Sequence, residues 1–249
     1  MKKNKIIIIT SIVIILIAAI AYFFYNSNKN DIIEDKIENT TKVDDPNTFY
    51  SFITDDGEES TLVITSTKDD VPANTKMVTH NIKETLTIYD EELGIYKTKD
   101  SIWDDNQSNL LITKVIIKGK VSPIRTTSWF KDFKYLNDIE GLENIDSSNL
   151  VDTTGMFANC LSLQTLDLSS LDMSQVEYAS SMFAGCENLK TIYVSDKWRL
   201  KKIKTSNYMF YNNYSLVGQE GTSYDENQIN SLYAHIDEGN NNPGYLTRK

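Results

Sequence analysis

The chain has 249 residues, 40% of them hydrophobic, and a formal net charge of -10. That length and apolar content fit one or two globular domains. The acidic balance sets the chain apart from proteins that neutralise phosphates with a basic stripe, so nucleic acid is not an expected partner, and it leaves no surface charge to attract anionic lipid. Two cysteines, Cys160 and Cys186, are too few for a disulfide framework, so burial has to hold the fold.

The first element is a near-continuous apolar run at 6–25, IIIITSIVIILIAAIAYFFY, of the length a membrane-spanning helix needs. Lys2, Lys3 and Lys5 precede it, so the positive-inside bias predicts a cytoplasmic stub at 1–5 and an outward-facing remainder, a single-pass signal anchor in the cell membrane. A cleaved signal peptide ending near Ala21 is the alternative, which leaves a secreted protein. The segment 26–47 is polar and charged, a composition that reads as a spacer.

From 48 to 122 the runs FYSFI at 49–53, TLVITS at 61–66, TLTIY at 85–89 and LLITKVIIKG at 110–119 are rich in β-branched and aromatic residues. Turn-forming clusters such as Thr54-Asp55-Asp56-Gly57 and Asp69-Asp70-Val71-Pro72 separate them. This predicts a β-rich unit that caps the C-terminal half of the chain.

Beyond 122 the dominant signal is repetition, which decides architecture before any local pattern does. MFANCLSLQTLDLSSLDMSQVEYAS from Met156 and MFAGCENLKTIYVSDKWRLKKIKTS from Met182 repeat in step, MFYNNYSLVG comes next from Met209, and a degenerate unit starts at Trp129. Phe130, Phe157, Phe183 and Phe210 mark one phase at intervals of 27, 26 and 27 residues. Leu163-x-x-Leu166-x-Leu168 and Leu189-x-x-Ile192-x-Val194 fit the core pattern of leucine-rich repeats, one strand per repeat stacked into a parallel sheet. The expected fold class is therefore an α/β repeat: a leucine-rich-repeat solenoid at 123–216, with short helices or 3₁₀ turns in the connecting halves and a closing segment at 217–249. Cys160 and Cys186 share one repeat position, filled by Phe133 before them and Asn213 after. A buried thiol ladder is expected there. A disulfide remains open, since adjacent rungs approach bonding distance.

Over about 112–249 the chain resembles the BspA-like leucine-rich-repeat surface proteins of bacteria, which also occur as mycoplasma-type lipoproteins. The resemblance rests on GLENIDSSNLVDTTGMFANC and LDLSSLDMSQV, on the final-repeat phrase from Thr191 to Trp198, and on Tyr233-Ala234-His235-Ile236-Asp237 with Pro243-Gly244-Tyr245-Leu246-Thr247. It implies a cell-surface protein, with adhesion and protein binding attributed to some members, and it brings no catalytic residues. Here only two or three regular repeats are present, which implies a small binding face.

Side chains alternate along a strand, so the outward face of the repeats is expected to carry Asp138, Glu140, Thr165, Asp167, Thr191 and Tyr193, an acidic patch with Tyr193 as aromatic anchor. A merely solvated face is the plain alternative. His80 and His235 lack metal or triad spacing. The carboxylates at 55–59 and 90–92 lack the alternation of a calcium loop and read as solvated turns. Arg199, Lys201, Lys202 and Lys204 after Trp198 form the one basic cluster: it fits an anionic envelope polymer, or aliphatic stems covering the last repeat. No phosphate-cradling glycine motif occurs. The function expected is extracellular recognition of a protein or glycan, without catalysis or cofactor; an envelope scaffold, or an enzyme with its site in the β-rich unit, are the rivals.

Overall fold

The computed structural model describes residues 48–81, 87–90, 95–98 and 111–249, all within one compact unit, Pro46–Lys249. Strand β1 (Thr48–Asp55) turns back into β2 (Ser60–Thr65) as an antiparallel hairpin, Tyr50 opposite Thr65 and Asp55 opposite Ser60. The reversal is held by its own acids: the Asp55 carboxylate accepts from Gly57 N–H at 2.8 Å and that of Asp56 from Glu58 and Glu59 N–H at 3.0 and 2.8 Å. Strand β3 (Met77–Asn81) pairs antiparallel with the other edge of β1. Backbone β4 (Thr87–Asp90) and β5 (Ile95–Thr98) form a separate two-stranded hairpin.

Strand β6 (Lys114–Lys118) lies parallel to β2, and β7 (Asp138–Glu140) parallel to β6, giving the order β3-β1-β2-β6-β7. Leu62, Val63 and Ile64 of β2 are all buried, the mark of a strand covered on both faces. Strands β8 (Thr165–Asp167), β9 (Thr191–Val194) and β10 (Leu246–Arg248) form a three-stranded parallel sheet in the order β10-β9-β8.

The repeat phase becomes a row of rings. Phe130, Phe157, Phe183 and Phe210 are fully buried, with successive centroids 5.4, 5.9 and 5.6 Å apart. Such contacts contribute about 0.5–1.5 kcal/mol each beyond the area they bury. Parallel single-residue bridges tie Arg125 to Asp152, Asp152 to Tyr178 and Tyr178 to Thr205, once per unit. Between them the backbone alternates: Gly155, Phe157 and Asn159 donate to Ser180, Met182 and Ala184 of the next unit at 2.8–2.9 Å, while Met156, Ala158 and Cys160 donate three residues back. Two left-handed positions recur in phase, Ser128, Gly155, Ser181 and Tyr208, then Asp132, Asn159, Gly185 and Asn212, all at φ between 55 and 76°.

Those left-handed residues correct the expected fold class. A right-handed helix cannot continue through them, and among the described residues there is no α-helix, only 3₁₀ turns of three residues each. The repeat strands are three or four residues long and are split between two sheets instead of forming one continuous parallel sheet. The fold is thus β-rich, of strands and stacked turns, and not an α/β leucine-rich-repeat solenoid. The segment 6–25 lies outside the described residues, among which no helix is long and apolar enough to cross a membrane. The expected transmembrane helix, and with it the membrane partner, the signal anchor and the single-pass location that rest on it, finds no counterpart among the described residues.

Candidate recognition surface

On the repeat strands Thr165 is exposed, Thr191, Asp167 and Tyr193 are half-buried, and register places Thr165 beside Thr191 and Asp167 beside Tyr193. Asp138 and Glu140 lie on β7, in the other sheet, so the structure does not bring the six expected residues onto one strand ladder. Their charges are also answered from within. The Lys114 ammonium sits 3.1 Å from Asp138 and 2.6 Å from Glu140, and these two carboxylates raise its pKa, Glu140 most. Burial pushes the Asp167 carboxyl up, but the Lys249 ammonium and Ser169 outweigh it and hold the pKa below the usual carboxylate range. An acidic face for a basic partner is thereby largely neutralised before any partner arrives.

On a flank of the repeats two adjoining hollows of about 410 and 500 Å³ share Asp172 and Lys197. They are lined by stacked turns of one design: Asp146 accepts from Ser148 N–H at 3.2 Å and Asp172 from Ser174 N–H at 2.8 Å. Lys120, 2.9 Å from Asp146, holds that carboxyl down at about 2. Two of the lining acids, Asp146 and Asp196, are thus already paired, with Lys120 and Arg248.

Three of the four basic side chains after Trp198 meet acceptors within the fold. Trp198 is buried, its indole N–H donating to Ala234 carbonyl at 2.9 Å. Lys202 reaches Gln175 at 2.5 Å, Lys204 reaches Glu177 at 2.7 Å, and Arg199 donates to the Asp196 carbonyl. His80 is buried, 2.8 Å from the Ser51 hydroxyl and stacked on Phe49, and His235 Nδ1 lies 2.9 Å from the Ile236 carbonyl oxygen. Cys160 and Cys186 are free buried thiols, donating to the carbonyls of Phe130 and Phe157 at 3.1 and 3.0 Å, and burial pushes the Cys160 thiol pKa well up. Asn213 takes the next rung with an amide donating to the Cys186 carbonyl.

The turn edge of the last repeat is different, and strand-face reasoning missed it. Tyr208, Tyr211 and Tyr214 are 59%, 49% and 62% exposed. One repeat earlier the same positions are Ser181, Ala184 and Glu187; two earlier they are Gly155, Ala158 and Leu161. The signal was present in the sequence as a departure from the phase. Tyr208 also stands at φ +58°, a left-handed conformation that a bulky side chain holds at a cost of roughly 1–2 kcal/mol. Asn212 N–H donates to the Tyr224 hydroxyl at 3.1 Å, and the Tyr214 hydroxyl donates to Asn212 Oδ1 at 2.7 Å, so Asn212 ties these two rings together.

That edge is closed by the C-terminal segment. Phe210 N–H, which in earlier units donates to the next repeat, donates here to the Ile229 carbonyl at 3.0 Å, and the Tyr224 hydroxyl replaces the next repeat's acceptor for Asn212. The segment folds around buried Asp237, which accepts from Glu220, Thr222, Gly239 and Gly244 N–H and from the Thr222 hydroxyl at 2.7–3.3 Å. Gly244 approaches so closely that a Cβ there would collide with the His235 carbonyl oxygen.

No curated protein and no solved structure matches the chain. Residues 124–243, which span the repeats and most of the closing segment, match the model of a family described as "Mycoplasma protein of unknown function, DUF285".

Proposed function

We propose that this protein is a recognition module that binds a partner without catalysing a reaction, and that it does so at the turn edge of its last repeat. The observation that carries this reading is the triplet Tyr208, Tyr211 and Tyr214, exposed where the two preceding repeats place no aromatic residue, with Tyr208 in a left-handed backbone conformation. Tyrosine offers large rigid contact area at low entropic cost and is enriched among residues that dominate binding energy. The left-handed conformation belongs to the repeat, as at Ser128, Gly155 and Ser181, so the last unit places a bulky exposed ring where the backbone disfavours one. The resemblance of the repeats to BspA-like proteins, which are related to the matched family, supports the same reading, since adhesion and protein binding are attributed to some members of that group.

The test is binding of the full chain to a panel of matrix proteins, glycans and isolated cell wall, beside a variant carrying the phased residues, Tyr208→Ser with Tyr211→Ala and Tyr214→Glu. Saturable binding that the variant loses and Tyr193→Ala retains is the expected result. Binding of equal strength by the triple variant, or no binding to any member of the panel, refutes it.

A further inference from the structure

The tyrosine edge carries more than exposed area: its rings are arranged in perpendicular pairs. Tyr208 and Tyr211 have centroids 5.9 Å apart with planes at 81°, and Tyr214 and Tyr224 lie 5.7 Å apart at 85°. Parallel platforms suit a flat ring, whereas two faces at right angles make a corner that a rounded group touches on both sides at once. The surroundings supply the sign of that group. Tyr224 is within electrostatic reach of Glu226, Tyr211 and Tyr214, Asp225 adjoins it in the chain, and the whole protein carries a net charge of -10. An aromatic face presents negative potential and attracts an ammonium group placed over it. The fold already uses this attraction elsewhere, with Lys204 over the Tyr178 ring at 5.7 Å and Lys68 over Tyr50 at 5.3 Å. Among the described residues no lysine or arginine is placed in this way over Tyr208, Tyr211 or Tyr214.

We infer that Tyr208, Tyr211, Tyr214 and Tyr224, with Glu226 beside them, form an open aromatic cage for an organic cation of the quaternary ammonium class. This deepens the recognition reading and rests on it. Tyr208 with Tyr211 and Tyr214 with Tyr224 are the two perpendicular pairs, and Tyr224 lies within electrostatic reach of both Tyr211 and Tyr214. Asn212 fixes both rings of the second pair through its backbone and side chain, so little order has to be created on binding. Glu226 contributes long-range attraction, and the methyl groups of the cation contribute contact with the rings.

The probe is choline, titrated into the full chain while tyrosine ring signals are followed by NMR, with 3,3-dimethylbutan-1-ol as the neutral molecule of the same shape. Saturable shifts are expected for choline, with affinity about tenfold or more above that of the alcohol, the scale of a cation on tyrosine faces. Tyr208→Ser with Tyr211→Ala is expected to weaken choline binding by a similar factor, and Glu226→Gln by a smaller one that added salt also produces. An unchanged circular dichroism spectrum and melting curve establish that these variants fold. Equal binding of the alcohol, or undiminished choline binding by the double variant, overturns the inference. If choline fails while a panel ligand still depends on the tyrosines, the cation cage falls and the recognition reading stands. If the triple variant keeps its panel ligand, the recognition reading falls as well.

Discussion

Asp237 provides the most direct test of what closes the C-terminal end. Its two carboxylate oxygens receive five hydrogen bonds, Oδ2 from Glu220 and Thr222 N–H and Oδ1 from the Thr222 hydroxyl and from Gly239 and Gly244 N–H. Asp237→Asn keeps one acceptor oxygen and turns an amide group toward donors that have nothing else to meet. Leaving buried donors unsatisfied costs about 1–3 kcal/mol for each, so the substitution is expected to cost about 2–5 kcal/mol at neutral pH. Burial pushes the carboxyl pKa up, but the Thr222 side chain and the surrounding N–H groups outweigh it and hold it at about 2 against an ordinary 3.8. At about 1.4 kcal/mol per pH unit, this contributes about 2 kcal/mol. Because the folded pKa is depressed, the contribution is fully present above pH 4 and is lost as pH falls through 2. Denaturant unfolding of wild type and variant at pH 6 and at pH 2 measures it: the gap between them should narrow by about 2 kcal/mol on acidification. A gap that is absent at pH 6, or equal at both pH values, refutes the assignment.

Other consequences are as direct. Phe183 packs against Phe157, Phe210 and Trp198 in the middle of the ring row, so Phe183→Ala should cost about 3–5 kcal/mol in chemical denaturation. Tyr208→Gly relieves left-handed strain of roughly 1–2 kcal/mol and adds back about 0.5–1 kcal/mol of glycine entropy. Its stability should therefore equal or exceed that of wild type, and a fall of more than about 2 kcal/mol would make the ring a structural anchor. The thiols of Cys160 and Cys186, buried and engaged with carbonyls, should resist a small disulfide reagent in the native protein and react, both of them, in denaturant. Trp198→Phe leaves the Ala234 carbonyl without its indole donor and should lower stability by about 1–3 kcal/mol.

The repetition was legible because four phenylalanines at fixed spacing bury one ring per unit, and burial is what spacing reports. The β-rich stretches at 49–53 and 61–66 were legible for a similar reason, since Phe49, Phe52, Leu62 and Ile64 all enter the core. The connecting halves were misread. Met182 and Phe183 suit a short helix or 3₁₀ turn, yet Ser181 and Gly185 turn left-handed on either side of them. Asn159, Gly185 and Asn212 at one phase were the warning, because Asn and Gly are the residues that accept that conformation. Alternation along a strand is a local pattern, but the charge balance of its outward face is not. Lys114 and Lys249 reach their acids from 24 and more residues away, and no local pattern announces such pairs. The tyrosine edge escaped because attention to what repeats obscures what the last repeat changes.

The hydrogen-bond alternation of the turns has a consequence for how this architecture can vary. Each unit presents the same donors at its far edge, from Gly155, Phe157 and Asn159 and again from Ser181, Phe183 and Gly185, and each receives the same donors at its near edge. A whole unit of 26 or 27 residues can therefore be copied or removed between Phe157 and Phe183 with every edge still matched. Only the last unit meets the Tyr224 hydroxyl and the Ile229 carbonyl. Reach and end-function are thus inherited separately: duplication sets how long the array is, while the final unit and its closing segment travel together as one cassette.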